Sequence, residues 1–365
     1  MNKNPRIDRV FLISIMLLTG IGFLIFMSAS MGLLLRNESV YSLVAIKQFI
    51  GLIIGCVAFF IMSKINYKNL RKYSFYIMIS AIVINLLLFI PYITVHHGGA
   101  TRWIDLGLIT FQPSEFLKIA FIIYFSAWLS GVRDKIQEFK TSILPYLIIV
   151  GILGFILLAQ SDTDTLVVIA ITGIIMLFIS GARIRDLAIL SLVLLIAISS
   201  IIYIRPYARQ RFMTFINSSG DPQGAGYQIQ QSLIAIGSGG ITGKGFGQSI
   251  QKFSYLPEPM GDSIFAVGAE EFGFIGSIGL IFLYIFFLFK SIKISTKSPD
   301  NFSGLLVVGI AILIIIESFM NISSMLGIIP LSGMPLLFVS HGGTALIIAL
   351  AAAGIIANVS KYQKT

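Results

Sequence analysis

Val10-Phe-Leu-Ile-Ser-Ile-Met-Leu-Leu-Thr-Gly-Ile-Gly-Phe-Leu-Ile-Phe-Met-Ser-Ala-Ser30 contains no charged residue. It is apolar on every face, so a helix built from it has no side to turn toward water. At about 1.5 Å of rise per residue, it matches a hydrocarbon layer about 30 Å thick. No small-residue cleavage site leading into a soluble domain follows, so the run reads as a retained first span rather than a signal peptide. Comparable runs recur at 43–63, 73–93, 113–131, 142–160, 165–181, 187–204, 263–290, 303–323 and 343–359. With 10–30 they make ten. The expected fold is all-α: a polytopic membrane protein, residues 1–365 forming one membrane domain with one long extracytoplasmic loop.

Composition agrees. The 365 residues are 56% hydrophobic and 12% charged, with mean hydropathy +0.92. Soluble domains carry about twice that charge, and only lipid can solvate so much apolar surface. The sole cysteine, Cys56, lies inside an apolar run, so neither an intrachain disulfide nor a cysteine metal cluster is available.

The net charge of +10 is distributed by topology. Alternate connections are basic: Lys3, Arg6 and Arg9; Lys64, Lys68, Arg71 and Lys72; Arg133, Lys135 and Lys140; Arg183 and Arg185; Lys290, Lys293 and Lys297; Lys361 and Lys364. The short connections between them carry only Arg36 and Arg102. The excess of Lys and Arg on cytoplasmic loops then places both termini in the cytoplasm, as an even span count requires. With the positive charge so explained, nucleic acid is not an expected partner.

One connection departs from the short-loop pattern. Residues 205–262 carry ten glycines and five basic residues yet retain apolar stretches such as Ser232-Leu-Ile-Ala-Ile236. Short amphipathic pieces at the membrane surface are expected there. Long loops on a rigid scaffold often carry function.

Ionisable residues inside spans are costly and therefore functional candidates: Lys47, Glu115, Lys118, Glu270, Glu271 and Glu317. Glu115 and Lys118 stand three apart after Pro113 and can pair on one helix face. That pair is either a packing device or part of a polar cavity. Lys47 either snorkels to the interface or offers a cation to an anionic substrate. Asp262 sits where the long loop enters the eighth span, after Pro257, Pro259 and Gly261. It is either a helix cap or a general base at the mouth of a membrane-level cavity. The run Gly237-Ser-Gly-Gly-Ile-Thr-Gly-Lys-Gly-Phe-Gly247 lacks the Gly-Lys-Ser/Thr spacing of a nucleotide loop, and a plain flexible turn is expected. Ser340-His-Gly-Gly343 opens the last span. Adjacent helical residues do not face each other, so Ser340 and His341 are not a nucleophile and its base. With His96 and His97, the histidines show no zinc spacing, and no histidine metal site is expected.

Taken together, several stretches resemble the SEDS family (shape, elongation, division and sporulation), the FtsW, RodA and SpoVE type of protein. They are Thr101-Arg-Trp-Ile-Asp-Leu-Gly107 with Gln112-Pro-Ser-Glu-Phe-Leu-Lys118; Asp221-Pro-Gln-Gly-Ala-Gly-Tyr227; Gln231-Ser-Leu-Ile-Ala-Ile-Gly-Ser-Gly-Gly240; Gly243-Lys-Gly-Phe-Gly-Gln248; Leu256-Pro-Glu258 with Asp262; and Pro335 with Ser340 to Gly343. The resemblance covers nearly the whole chain. It implies a ten-span peptidoglycan glycosyltransferase of the bacterial cytoplasmic membrane that polymerises lipid II, in cell division or cell-shape maintenance. It also implies a class B penicillin-binding protein as partner, alongside other divisome or elongasome membrane proteins. Carried over, the family's loop aspartate falls on Asp262 as the catalytic base. Its substrate-binding positions fall on Lys47, Arg102, Glu115, Lys118, Lys244 and Glu258, with Ser340 and His341 beside them. No cofactor requirement follows, and a divalent cation (Mg or Mn) near Asp262 stays open. Lipid II flipping and a non-catalytic division scaffold are the competing functions.

Two departures stand out. Gln160-Ser-Asp-Thr-Asp-Thr165 stands where the family usually has Gln-Pro-Asp-Leu/Met-Gly-Thr, so Asp164 adds a charge in place of a glycine. His341 stands where tyrosine is commoner. Met260-Gly261 and Asn358-Val-Ser360 resemble the division-type branch more than the elongation-type one.

Overall fold

The computed structural model describes residues 7–34, 38–90, 94–97, 100–105, 107, 110–217, 224–253 and 255–363. Arg36 and the Asp221-Pro-Gln223 part of one motif lie outside the described residues. Among the described residues a helix stands at each of the ten positions where a span was expected. These are α1 (Arg9–Ser30), α2 (Glu38–Lys64), α4 (Ser74–Leu86), α5 (Pro113–Gly131), α6 (Ile143–Ala159), α7 (Thr163–Ser180), α8 (Ile184–Ile204), α11 (Ile264–Thr296), α12 (Asn301–Met325) and α13 (Gly343–Ser360). Seven are long and apolar enough by themselves to cross a membrane. The apolar helices Ser74–Phe89 and Ile143–Ala159 are shorter, and α5 carries Glu115 and Lys118. The connections add the short α3 (Tyr67–Lys72) and, in the long loop, α9 (Pro206–Ile216) and α10 (Ala225–Ser238).

Local chemistry sets the helix ends. Asp8 caps α1, accepting from the backbone N–H of Val10 at 2.9 Å and Phe11 at 3.0 Å. Pro113 occupies the first turn of α5, where its missing N–H removes no helical bond. Gly181, at φ 92°, ends α7 in the left-handed conformation. The second span begins earlier than hydropathy indicated, at Glu38, because its polar first turn is helical too.

The core sits around α12, which is buried along most of its length, with α5, α7, α11 and α13 packed about it. Small residues bring α2 and α13 together: Gly55 lies against Leu350, and Gly354 against the backbone of Phe59. The opposite face of α2, with Leu43, Ile46, Phe49, Ile53, Val57 and Phe60 exposed, is a lipid-facing stripe at helical spacing. By contrast α8 buries only Leu187 and Leu190, near its start.

One element was not expected. An antiparallel sheet joins α4 to α5: β1 (Thr94–His97), β2 (Ala100–Asp105) and β3 (Thr110–Phe111), with Thr94 opposite Ile104 and Ile104 opposite Phe111. The connection reads as polar loop by hydropathy, yet Thr101, Trp103 and Ile104 are good strand formers. The sheet holds Arg102.

Candidate functional site

Asp262 immediately precedes α11, and its backbone is fixed from several directions. The preceding turn closes with the Gly261 N–H donating to Glu258 O at 3.0 Å and the Ser263 N–H to the same oxygen at 3.2 Å. The Asn321 side chain on α12 donates to Asp262 O at 2.8 Å and to Met334 O at 2.7 Å. Ser340 Oγ donates to Gly261 O at 2.8 Å, and the His341 N–H to Met260 O at 2.7 Å.

Yet the carboxylate itself is free. Ser263 is the N-cap residue of α11 and no side chain caps that helix end, so Asp262 is not a cap. Among the described residues no hydrogen bond or ion pair engages its oxygens. The side chain is half-buried, and its pKa rises from an ordinary 3.8 to about 7. Desolvation is the main cause. The Glu258 and Asp164 carboxylates push in the same direction, while Arg211 and Arg102 oppose.

Beside it lies a pair that the resemblance did not include. Arg211 on α9 donates from Nη1 to Asp164 Oδ2 at 2.9 Å, and its guanidinium stacks on Tyr207 at 4.4 Å. Both groups meet Asp262 at Gly333. A β-carbon on that glycine would lie 3.4 Å from Arg211 Nη2, 3.7 Å from Asp262 Oδ2 and 3.9 Å from Asp164 Oδ2. Asp164 also accepts from the Gly333 N–H at 3.2 Å. From this corner an apolar cavity of about 650 Å³ runs between α6, α7 and α8, past Val150, Phe155, Ile171, Val193 and Ile201, with Asp164 and Arg211 at its polar end.

The other expected residues divide into groups. Lys118 Nζ donates to Glu115 Oε1 at 2.8 Å, as the spacing suggested, and also to Glu317 Oε2 at 2.6 Å. All three are buried, and Glu317 Oε1 has no partner. Arg102 is equally committed: it donates to Ser161 O and stands 3.8 Å from Asp162 Oδ1. Asp162 in turn caps α7, accepting from the Thr165 hydroxyl at 3.0 Å. Ser340 and His341 hold the turn before Asp262 in place. His341 Nδ1 is 3.2 Å from Gln48 Oε1, and its ring stacks on Phe26. Lys47 lies close enough to His341 to oppose its protonation, and it has no ion pair among the described residues.

Lys244 stands apart from the Asp262 corner, paired with Glu270 at 2.7 Å. The glycine run around it is not a flexible turn. The Lys244 N–H donates to Glu270 O at 3.0 Å and the Gly245 N–H to Glu271 O at 2.9 Å. The N–H groups of Phe274 and Ile275 return bonds to Gly240 O and Ile241 O at 2.9 and 3.1 Å. This is a backbone patch laid over the break in α11 at Gly273, whose φ is 66°. A β-carbon on Gly273 or Gly243 would collide with the facing backbone, which is why glycines occur there. Lys252, absent from the expected set, is wholly buried on Glu271 at 2.8 Å, with Ser28 and Gly247 O as further acceptors.

Comparisons with known proteins fit this architecture. The family described as "Cell cycle protein", with FtsW, RodA and SpoVE as its types, matches residues 8–365. Stage V sporulation protein E of Bacillus subtilis (strain 168) is 36% identical over 362 residues, covering 99% of both chains. "Probable peptidoglycan glycosyltransferase FtsW" of Geobacter sp. (strain M18) is 33% identical over 364 residues, covering 100% of this chain and 99% of its own. Among solved structures, a chain from "Structural coordination of polymerization and crosslinking by a peptidoglycan synthase complex" superposes with TM-score 0.81 at 23% identity, over 98% of this chain and 99% of that one. The Thermus thermophilus rod shape determining protein RodA superposes with TM-score 0.72 at 23% identity, over 98% of each chain. This multi-pass membrane protein belongs to the FtsW/RodA/SpoVE family.

Proposed function

We propose that this chain is a peptidoglycan glycosyltransferase that polymerises lipid II at the outer face of the bacterial cytoplasmic membrane. Both termini are cytoplasmic, and a class B penicillin-binding protein is its partner. The observation that carries the proposal is Asp262: a half-buried carboxylate with no hydrogen-bond partner among the described residues, raised to about 7, beside an arginine at the end of an apolar cavity. The relatives' names and the complex formed by one structural neighbour support it.

The chemistry follows from the substrate. Its polyprenyl tail stays in the bilayer, and the apolar cavity offers a place for it. The acceptor's GlcNAc 4-hydroxyl attacks the donor's anomeric carbon. The bond from that carbon to the pyrophosphate oxygen breaks, and its electron pair leaves on the polyprenyl pyrophosphate. The hydroxyl proton passes to Asp262. A base whose pKa lies near the working pH is suited to this transfer. A single displacement inverts the anomeric centre and needs no covalent sugar–enzyme intermediate. Ser340, His341 and Asn321 position the base through its backbone.

A resident divalent cation does not fit these side chains. Asp262 and Asp164 supply oxygens, but Asp164 is already paired with the Arg211 guanidinium, and no three metal-ligating side chains gather among the described residues. The six ion pairs found among the described residues all lie in the half of the bundle that holds Asp262. A path that carried a charged headgroup across the membrane would need such groups in the other half as well.

The test is polymerisation of labelled lipid II in detergent by the purified protein with its cognate penicillin-binding protein. Wild type yields long glycan strands, and Asp262→Ala yields none. Normal strands from Asp262→Ala sink the assignment.

A further inference from the structure

The four basic residues that the resemblance implies as substrate-binding are poorly placed to meet a pyrophosphate beside Asp262. Lys118 is buried between two carboxylates, Arg102 is held by Asp162 and Ser161, and Lys244 sits on Glu270. Lys47 acts on His341 and is not among the charges that shift Asp262. Arg211 differs on each count. It lies at the polar end of the apolar cavity, and its Nη2 and an Asp262 oxygen face the same point at Gly333. Of a guanidinium's five N–H donors, one is used among the described residues, by Asp164. The pair is partly open to solvent, with side chains 19% and 16% exposed.

A tail lying in the cavity therefore brings its pyrophosphate to the Arg211 guanidinium, beside the base. The geometry points to Arg211 as the pyrophosphate-binding residue, with Asp164 a resident counter-anion that the substrate displaces. This rests on the glycosyl-transfer reading above. A guanidinium fork suits phosphate oxygens as well as carboxylate oxygens, so the exchange trades one anion for another of higher charge. Until displaced, Asp164 holds α9 against the start of α7 with Arg211 aimed at the site. Once displaced, its charge repels the pyrophosphate. The extra charge at 164 thus weakens substrate binding and keeps the empty site neutralised.

Two signs of effect separate this from a structural latch. The probes are polyprenyl pyrophosphate and polyprenyl monophosphate in detergent, with binding read by equilibrium titration, so no turnover is needed. Wild type is expected to prefer the pyrophosphate. Arg211→Gln should weaken pyrophosphate binding about tenfold and leave the monophosphate within threefold, by loss of one charged bidentate contact. Arg211→Lys, which keeps the charge, should recover part of the loss. Asp164→Asn should tighten pyrophosphate binding several-fold. If Asp164→Asn weakens binding as Arg211→Gln does, the pair is only a latch and the inference is overturned, while polymerisation by wild type leaves the glycosyltransferase reading intact. If wild type shows no preference for pyrophosphate and makes no strands, both fall.

Discussion

Two clusters of charge lie in the same half of the bundle and differ in one respect. Around Lys118 every group is saturated or nearly so: one ammonium, two carboxylates, all buried, with contacts of 2.8 and 2.6 Å. Around Asp262 the backbone is fixed by Asn321, Ser340 and His341, while the carboxylate has no hydrogen bond or ion pair among the described residues. The first ties helix α5 to helix α12 through Lys118 and Glu317. The second holds a reactive group still and leaves it unsatisfied, a state that a fold sustains only with support from elsewhere. Membrane charge is therefore not one signal: a buried charge with its partners is architecture, and a positioned charge without them is a candidate for chemistry.

The largest way to break this contrast is at Lys118. Lys118→Met strands two buried carboxylates, and removing one partner of a buried pair costs about 3–5 kcal/mol. Folded protein recovered by size-exclusion chromatography should fall at least about tenfold. Adding Glu115→Gln and Glu317→Gln should restore it. Failure of that rescue would mean Lys118 does more than hold helices.

A pH profile probes the other cluster. The carboxyl of Asp262 is raised, so its active, ionised form is lost as pH falls through about 7. The rate should drop about tenfold per pH unit below that value and be flat above it. The groups that set this point are Glu258 and Asp164, which raise it, and Arg211 and Arg102, which lower it. A profile flat from pH 5 to 8 would remove Asp262 as the base.

Gly333→Ala is milder. The added methyl fits without collision but stands among Asp262, Arg211 and Asp164. Expected are a several-fold fall in kcat/KM and an unchanged melting temperature; an unaltered rate would mean that the space is not used. The smallest effect belongs to Lys244→Ala. Glu270 keeps its bonds from Ser249, Ile250 and Gln251, and Lys244 is 30% exposed, so stability should change by less than about 1 kcal/mol and the rate by less than about twofold. Lost polymerisation in this variant would bring Lys244 back to the site.

The spans were legible because a bilayer imposes a length and a composition on every helix, as in Val10 to Ser30. The sheet around Arg102 was not, since hydropathy is blind to strands inside a polar connection. Asp262 stood out through its turn residues and its place before a span. Arg211 did not, because it lies on an amphipathic helix among other basic residues, and its partner is 47 positions away. The signal that points to it is Asp164, an added carboxylate that needs a cation. The glycine run was misread as loose because sequence shows φ freedom but not the backbone it packs against, here the break at Gly273. Lys118 and Arg102 were grouped with Asp262 because their shared depth in the membrane is visible in sequence, whereas their carboxylate partners Glu317, on α12, and Asp162, in the turn before α7, come from distant parts of the chain.

The most direct test measures activity and folding on one preparation of Asp262→Asn at pH 8. An ionised, unpaired carboxylate that is half-buried destabilises the fold. Its pKa is raised in the folded state, so that cost grows as pH rises from 3.8 toward 7 and persists above. Asparagine should therefore leave the melting temperature equal or higher, while polymerisation falls by at least about a hundredfold, the scale of a lost general base. Strands made at the wild-type rate by a stable Asp262→Asn protein would contradict the account.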